Sequence, residues 1–188
     1  VDTDAARTGP REPELRIAHT AQLVGPDRRA ARALLDAAFD GDFADEDWEH
    51  AVGGMHVLAW DGAHLVAHGS VVQRRLLHGG RALRTGYVEG IGVHPDRRGE
   101  GHAGRVMAAV EEIIRRGYDL GALGSSEMAM GFYAARGWQP WRGPSAVLAP
   151  EGSRRTPDDD GSIFVLAGTV PLDLDGELTC DWRDGDVW

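Results

Sequence analysis

The run Arg98-Gly99-Glu100-Gly101-His102-Ala103 follows directly on the strand-like stretch Tyr87-Val88-Glu89-Gly90-Ile91-Gly92-Val93. It opens a helical pattern from Ala103 to Ile114, with Val106, Ala109, Val110 and Ile113 at helical spacing. A strand that turns through glycines into a helix leaves little freedom for what surrounds it. Glycines at the junction let several backbone N–H groups converge, and the positive end of the helix dipole adds to them, which makes the turn a natural pyrophosphate site. A Walker A loop would end in Gly-Lys-Ser/Thr, but this turn continues Gly101-His102-Ala103. A dinucleotide fingerprint would place a third glycine at the helix start, near the first strand of a doubly wound unit, and neither condition holds. The backbone of Arg98, Gly99, Gly101, His102, Ala103 and Gly104 is therefore the expected phosphate cradle, with Arg97 or Arg98 adding charge-assisted contacts. His102 is expected at the surface rather than in catalysis. Read alone, the same residues also fit a turn that binds nothing.

Composition narrows the classes. A chain of 188 residues makes one domain that can bury a core without metal or disulfide staples. Its single cysteine, Cys180, excludes an internal disulfide framework. No apolar run is long enough to cross a bilayer and the first residues lack the pattern of a signal peptide, so the cytoplasm is the expected location. Twenty basic against thirty acidic side chains give a net charge of −10, which argues against nucleic acid and anionic membranes as partners. The acidity is concentrated from Pro150 onward, where ten acids face Arg154, Arg155 and Arg183. That excess serves solubility or lines a cleft for a cationic substrate.

Along the chain, strands and helices alternate. Residues 1–14 read as a disordered lead-in and 15–188 as the folded domain. Leu15–Val24 is the expected first strand and Pro26–Phe39 an amphipathic helix. Asp45–Ala51 follows as a short helix with Asp45 as its N-cap. Met55–Trp60 and His64–Leu77 pair through the turn at Asp61-Gly62, and Gly79-Gly80 leads into Leu83–Val93. Beyond the helix after the glycine turn come a strand at Tyr118–Leu123 and a helix at Glu127–Ala135. Short strands at Ser145–Leu148 and Ile163–Val170 close the chain, separated by a loop at Arg154–Gly161.

Arg98, Gly101 and Ala103 match the acyl-CoA signature Arg/Gln-x-x-Gly-x-Gly/Ala of the GNAT acetyltransferases, and the element order is that of their fold. The chain further resembles the aminoglycoside 2′-N-acetyltransferases of actinobacteria. The likeness lies in Gly41-Asp42-Phe43, Asp47-Trp48-Glu49-His50, Gly86-Tyr87-Val88-Glu89-Gly90, Tyr133-Ala134-Ala135-Arg136-Gly137-Trp138, Thr156–Gly161 and Cys180–Trp188. It implies an α/β (α+β) single domain with a mixed, largely antiparallel central sheet flanked by helices. It also implies acetyl-CoA as co-substrate without a metal, a cationic aminoglycoside as acceptor and a homodimer.

The residues give this chemistry a basis. Glycines at 90 and 92 are costly in a plain strand; a bulge there would aim free amides at a ligand, and the resemblance implies that Ile91 and Val93 pair with the pantetheine arm. Acyl transfer from a thioester to an amine needs a base, an oxyanion donor and an acid for the leaving thiolate. Glu89, an acid in mid-strand between apolar neighbours, is the expected base. Tyr133 is the expected acid, although a core tyrosine gripping the Gly137-Trp138 turn also explains it. Direct attack in a ternary complex needs no covalent acyl-enzyme. Asp42, Asp47, Asp159 and Asp186, with Glu89 and the terminal carboxylate of Trp188, are the candidate acceptors for the substrate's amines. Turn and cap chemistry accounts equally for Asp47 and for Asp158–Asp160. Two other readings stand beside this one: an acetyltransferase for another amine, such as a polyamine or cell-wall amino sugar, and a non-catalytic acyl-CoA-binding module.

Overall fold

The computed structural model describes residues 12–188. Most of the expected lead-in lies outside them, but Glu14 does not: β1 spans Glu14–His19 and pairs antiparallel with β2, Met55–Asp61. β1 is shorter than expected because the chain turns at Thr20–Gln22. There the His19 ring accepts from the Ala21 N–H at 3.1 Å and the Gln22 side chain accepts from the His19 N–H at 2.8 Å. Helix α1, Gly25–Ala38, and helix α2, Asp45–Ala51, follow. Asp45 is not the cap of α2: Ala44 holds that position, and the Asp47 carboxylate accepts from the Ala44 N–H at 2.9 Å.

The long hairpin β3, His64–His78, and β4, Arg81–Val93, forms the middle of the sheet. Gly79 and Gly80 close it with φ of 55° and 74°, the pair of positive angles that a two-residue hairpin turn demands. β3 is long enough to serve two neighbours on one edge, with β2 along its first half and β10 near its end. Helix α3, His102–Gly117, lies across β2, β3 and β4. Val106, Val110 and Ile114 of α3 pack there with Val57, Val71 and Val88. Buried Glu111 ties α3 to the next unit: Arg136 donates twice to its carboxylate, at 2.7 and 3.0 Å, and the Trp138 indole once, at 3.2 Å.

β5, Leu120–Gly124, runs parallel to β4 but pairs with it only between Thr85–Tyr87 and Leu120–Ala122. Beyond Tyr87 the two strands part. The expected helix at Glu127–Ala135 is split into a 3-10 turn, Glu127–Ala129, and the short α4, Met130–Ala134.

The C-terminal third departs most from expectation. Five strands are formed there: β6 (Gln139–Pro140), β7 (Ser145–Ala149), β8 (Gly152–Arg155), β9 (Ile163–Ala167) and β10 (Leu178–Asp181). The start of the expected loop at Arg154–Gly161 belongs to β8. β10 inserts between β3 and β7, giving the order β6-β9-β5-β4-β3-β10-β7-β8. Arg74 of β3 anchors it, donating to the Asp181 carboxylate at 2.7 Å and its carbonyl at 2.8 Å. Around it a second core forms from Leu76, Tyr87, Leu120, Trp141, Val147 and Trp188.

Candidate active site

The parting of β4 from β5 leaves one edge of β4 without a strand partner from Val88 onward, and the cleft opens there. β4 is also bulged on its other edge. Ser70 faces Glu89 and His68 faces Gly92, so Gly90 and Ile91 together oppose Gly69 alone. Gly90 takes a φ of 55°, which an L side chain adopts only under strain. Gly69 is required by its neighbour, since a Cβ there would lie 2.4 Å from the Ile91 side chain. The expected bulge is present, and it places Glu89 at the mouth of the gap.

Three further segments converge on this point to form a cleft of about 310 Å³. The first is the end of α1, where Asp40 (φ 55°) and Gly41 (φ 84°) reverse the chain and bring in Asp42. The second is α2, which contributes Asp47 and His50. The third is the segment after β10, which contributes Arg183, Asp186 and Trp188. Tyr133 of α4 lines the same cleft as Glu89.

Five of the six predicted acceptor-binding residues thus line one cleft. Asp159 does not line it. Its carboxyl is nevertheless pushed up, first by burial and then by the nearby Asp186, so the two acids lie close together. Trp188 has its indole buried in the second core, where it donates to the Thr156 hydroxyl at 2.9 Å. Its main chain packs against Gly124 of β5, where a Cβ would sit 3.5 Å from the Trp188 carbonyl carbon.

Arg183 was not anticipated. Its guanidinium pairs with the Glu89 carboxylate and donates to the main-chain oxygens of Asp186 at 2.7 Å and Trp188 at 3.0 Å, while stacking 5.5 Å from the Tyr87 ring. One side chain therefore holds the base and the last turn of chain together. His50, also unforeseen, is held by a 2.8 Å hydrogen bond with the Asp184 carbonyl. The cleft carries four side-chain carboxylates, Asp42, Asp47, Glu89 and Asp186, against the one guanidinium of Arg183.

Tyr133 grips the Gly137-Trp138 turn and also lines the cleft. Its carbonyl accepts from the N–H groups of Arg136 and Trp138, at 3.0 and 3.2 Å, gripping the turn. Its ring packs edge-on to Trp138 and lines the cleft. Burial pushes its phenol up to about 12, so it stays protonated at neutral pH.

A second groove continues along β4 past Ile91 and Val93 and is lined also by Arg98 and Ser126. A few residues beyond Arg98, Gly101 is the N-cap of α3, with φ of 83° and no side chain capping the first N–H groups of the helix. Gly99 also takes a positive φ, 81°. Of the flanking cations, Arg97 is taken up by Asp61 at 2.7 Å and Glu100 at 2.9 Å, whereas among the described residues Arg98 donates only to the Ala38 carbonyl, at 2.7 Å. His102 is buried, not at the surface as expected: the first turn of α3 folds it inward, where it bonds Glu100 at 3.0 Å. The unpaired strand edge fits the amide-rich arm of an acyl-CoA, and the uncapped helix start fits its pyrophosphate. Among the described residues no cluster of three metal-ligating side chains occurs and no helix is long and apolar enough to cross a membrane.

Residues 25–141 match the model of an acetyltransferase (GNAT) domain. The chain belongs to the GNAT acetyltransferase family. An aminoglycoside 2′-N-acetyltransferase from Mycolicibacterium fortuitum is 52% identical over 177 residues, covering 92% of this chain and 91% of that protein. Among solved structures, the GNAT family N-acetyltransferase YhbS of Escherichia coli in complex with CoA is similar with a TM-score of 0.61 at 13% identity, covering 94% of this chain and 93% of that one. A GNAT family acetyltransferase from Brucella melitensis in complex with acetyl-CoA gives 0.58 at 17% identity, over 88% and 94%. These structures share the GNAT fold.

Proposed function

We propose that this GNAT acetyltransferase transfers the acetyl group of acetyl-CoA to the 2′-amine of aminoglycoside antibiotics. The observation that carries the reading is one cleft at the parting of β4 and β5 lined by Glu89 and Tyr133 together with Asp42, Asp47 and Asp186. The name of the Mycolicibacterium relative supports the same acceptor. A polycationic amino sugar needs carboxylates on several sides, and the cleft supplies them.

Acetyl-CoA supplies an activated thioester. The rest of the chemistry falls to the protein. The rim carboxylates hold the ammonium groups that do not react. The reacting ammonium takes the place of the Arg183 guanidinium beside Glu89, which accepts its proton, directly or through a water. The freed amine attacks the thioester carbonyl carbon; the C–N bond forms, the C–S bond breaks, the Tyr133 phenol protonates the departing sulfur, and the phenolate so formed takes up the second proton from the amide nitrogen. Ile91 and Val93 pair with the pantetheine arm, while Arg98 and the backbone of Gly99, Gly101, His102, Ala103 and Gly104 hold the pyrophosphate. The family resemblance also implies a homodimer, which sedimentation velocity tests.

Release of free thiol from acetyl-CoA, measured against a panel of amines, tests the reading. Gentamicin and tobramycin are expected to be turned over well ahead of spermidine and glucosamine. A panel in which the polyamine or the simple amino sugar leads would assign a different acceptor.

A further inference from the structure

Behind the bulge that carries Glu89 lies a buried polar chain that acetyl transfer, as described so far, does not use. The Gly53 N–H donates to the Thr20 hydroxyl oxygen at 2.8 Å, and that oxygen lies 2.8 Å from His56 Nε2. His56 Nδ1 is 2.9 Å from His68 Nε2, and His68 Nδ1 is 2.8 Å from the carbonyl oxygen of Gly90. His56 and His68 are wholly buried. Burial pushes both imidazoles down, His56 to about 3 and His68 to about 4, so both are neutral at working pH and each carries one ring proton.

That count fixes every donor. A carbonyl only accepts, so His68 carries its proton on Nδ1, facing Gly90. His68 Nε2 is then an acceptor, so the proton of His56 lies on Nδ1, facing His68. His56 Nε2 accepts in turn, and the Thr20 hydroxyl donates to it. The Gly54 carbonyl, also within reach of that hydroxyl, is already served by the Thr20 N–H at 2.9 Å. All the hydrogen bonds run one way, toward Gly90.

The Gly90 carbonyl belongs to the same planar trans peptide as the Ile91 N–H, and the two point in opposite directions. Neither residue has a partner across the β3 ladder, so the ladder does not set the tilt of that peptide. We propose that Thr20, His56 and His68 are positioning residues that fix the Gly90–Ile91 peptide with the Ile91 N–H aimed into the cleft, as the donor to the thioester carbonyl oxygen. This rests on the placement of acetyl-CoA along the free edge of β4. A preorganised backbone donor of this kind contributes about 10²- to 10³-fold in kcat.

Three measurements test the proposal. Nitrogen-15 spectra of the free protein are expected to show both imidazoles protonated at Nδ1; an Nε2–H tautomer at either would overturn the relay. Difference infrared spectra with carbonyl-labelled acetyl-CoA are expected to show the thioester band moved to lower frequency in the parent protein and returned toward its free position in His68→Leu. That variant is expected to lose about 10²-fold in kcat with unchanged Kd for acetyl-CoA. His68→Asn, whose amide nitrogen stands where Nδ1 stood, is expected to recover most of the loss. Full kcat and an unmoved band in His68→Leu would overturn the relay while leaving the acetyl-CoA placement standing. An unshifted band in the parent protein with acetyl-CoA bound would overturn the placement and the relay together. Should His68→Leu unfold, Thr20→Val at the outer end is expected to shift the band and kcat in the same direction by less, and an unchanged band there counts against the proposal.

Discussion

Glu89 shows how much one side chain depends on its neighbours. In the free protein its carboxylate is bonded to Arg183, a cation that must give way before an ammonium can lose its proton there. Glu89→Gln is expected to keep acetyl-CoA affinity and lose about 10²-fold in turnover at pH 7. The deficit should narrow as pH rises, because the acceptor amine is then already neutral; full activity at pH 7 would remove Glu89 from the mechanism. Tyr133 makes a complementary prediction. With its phenol pushed up to about 12, the proton it donates remains in place through pH 10, and a Tyr133→Phe enzyme should be slower than the parent across that whole range. A parent profile that falls between pH 9 and 10 while the Tyr133→Phe profile stays flat would contradict this. Glu89 was legible in the sequence because an acid between Val88 and Gly90 in a strand needs an explanation. Arg183 was not, because among ten acids it read as incidental charge. His56 and His68 carried the same signal as Glu89, polar residues inside apolar strands, without a motif to draw attention to them.

The elements were legible where the local signal was strong. The hairpin turns at Asp61-Gly62 and Gly79-Gly80, and the helix after Gly101, follow from glycine chemistry and helical spacing alone. Of the short strands, β7 and β9 were legible in the apolar runs starting at Ser145 and Ile163, whereas β6, β8 and β10 were not. β10 is four residues long and forms because β7 pairs with it along its whole length, β3 meets it at Leu77, and Arg74 holds Asp181 in place. These are tertiary causes, invisible to any window of local sequence. The buried histidines give β2 and β3 a measurable signature. Both are neutral in the fold and take up protons readily when the chain unfolds. Stability should therefore be whole above pH 6.5 and fall as pH drops toward about 4, by about 1.4 kcal/mol per pH unit for each histidine. Arg28, His19 and His68 face His56 and act in the same direction. Denaturant melts at pH 7, 6 and 5 check this: His56→Gln should roughly halve the slope, and an equal slope in parent and variant would contradict the assignment.

At the scale of the whole molecule, net charge and cleft charge act together. A chain of net charge −10 that gathers Asp42, Asp47, Glu89 and Asp186 around one opening attracts polycations over a range set by salt, about 10 Å at 0.1 M. KM for an aminoglycoside is therefore expected to rise with ionic strength while the Kd of acetyl-CoA changes less. Asp42→Asn and Asp186→Asn should each raise that KM by about two- to fivefold, the range of an exposed ion pair, without lowering Tm. An unchanged KM in both variants would take the rim carboxylates out of acceptor binding. Truncation before Asp186 would be less informative, since it also strips the buried Trp188 indole from the second core. The central claim, that this cleft presents the 2′-amine to the thioester, is tested most directly by comparing two acceptors that differ at that position. Kanamycin B carries an amine there and kanamycin A a hydroxyl. Thiol release under identical conditions is expected to be rapid with kanamycin B and near background with kanamycin A; comparable rates on the two would contradict the assignment.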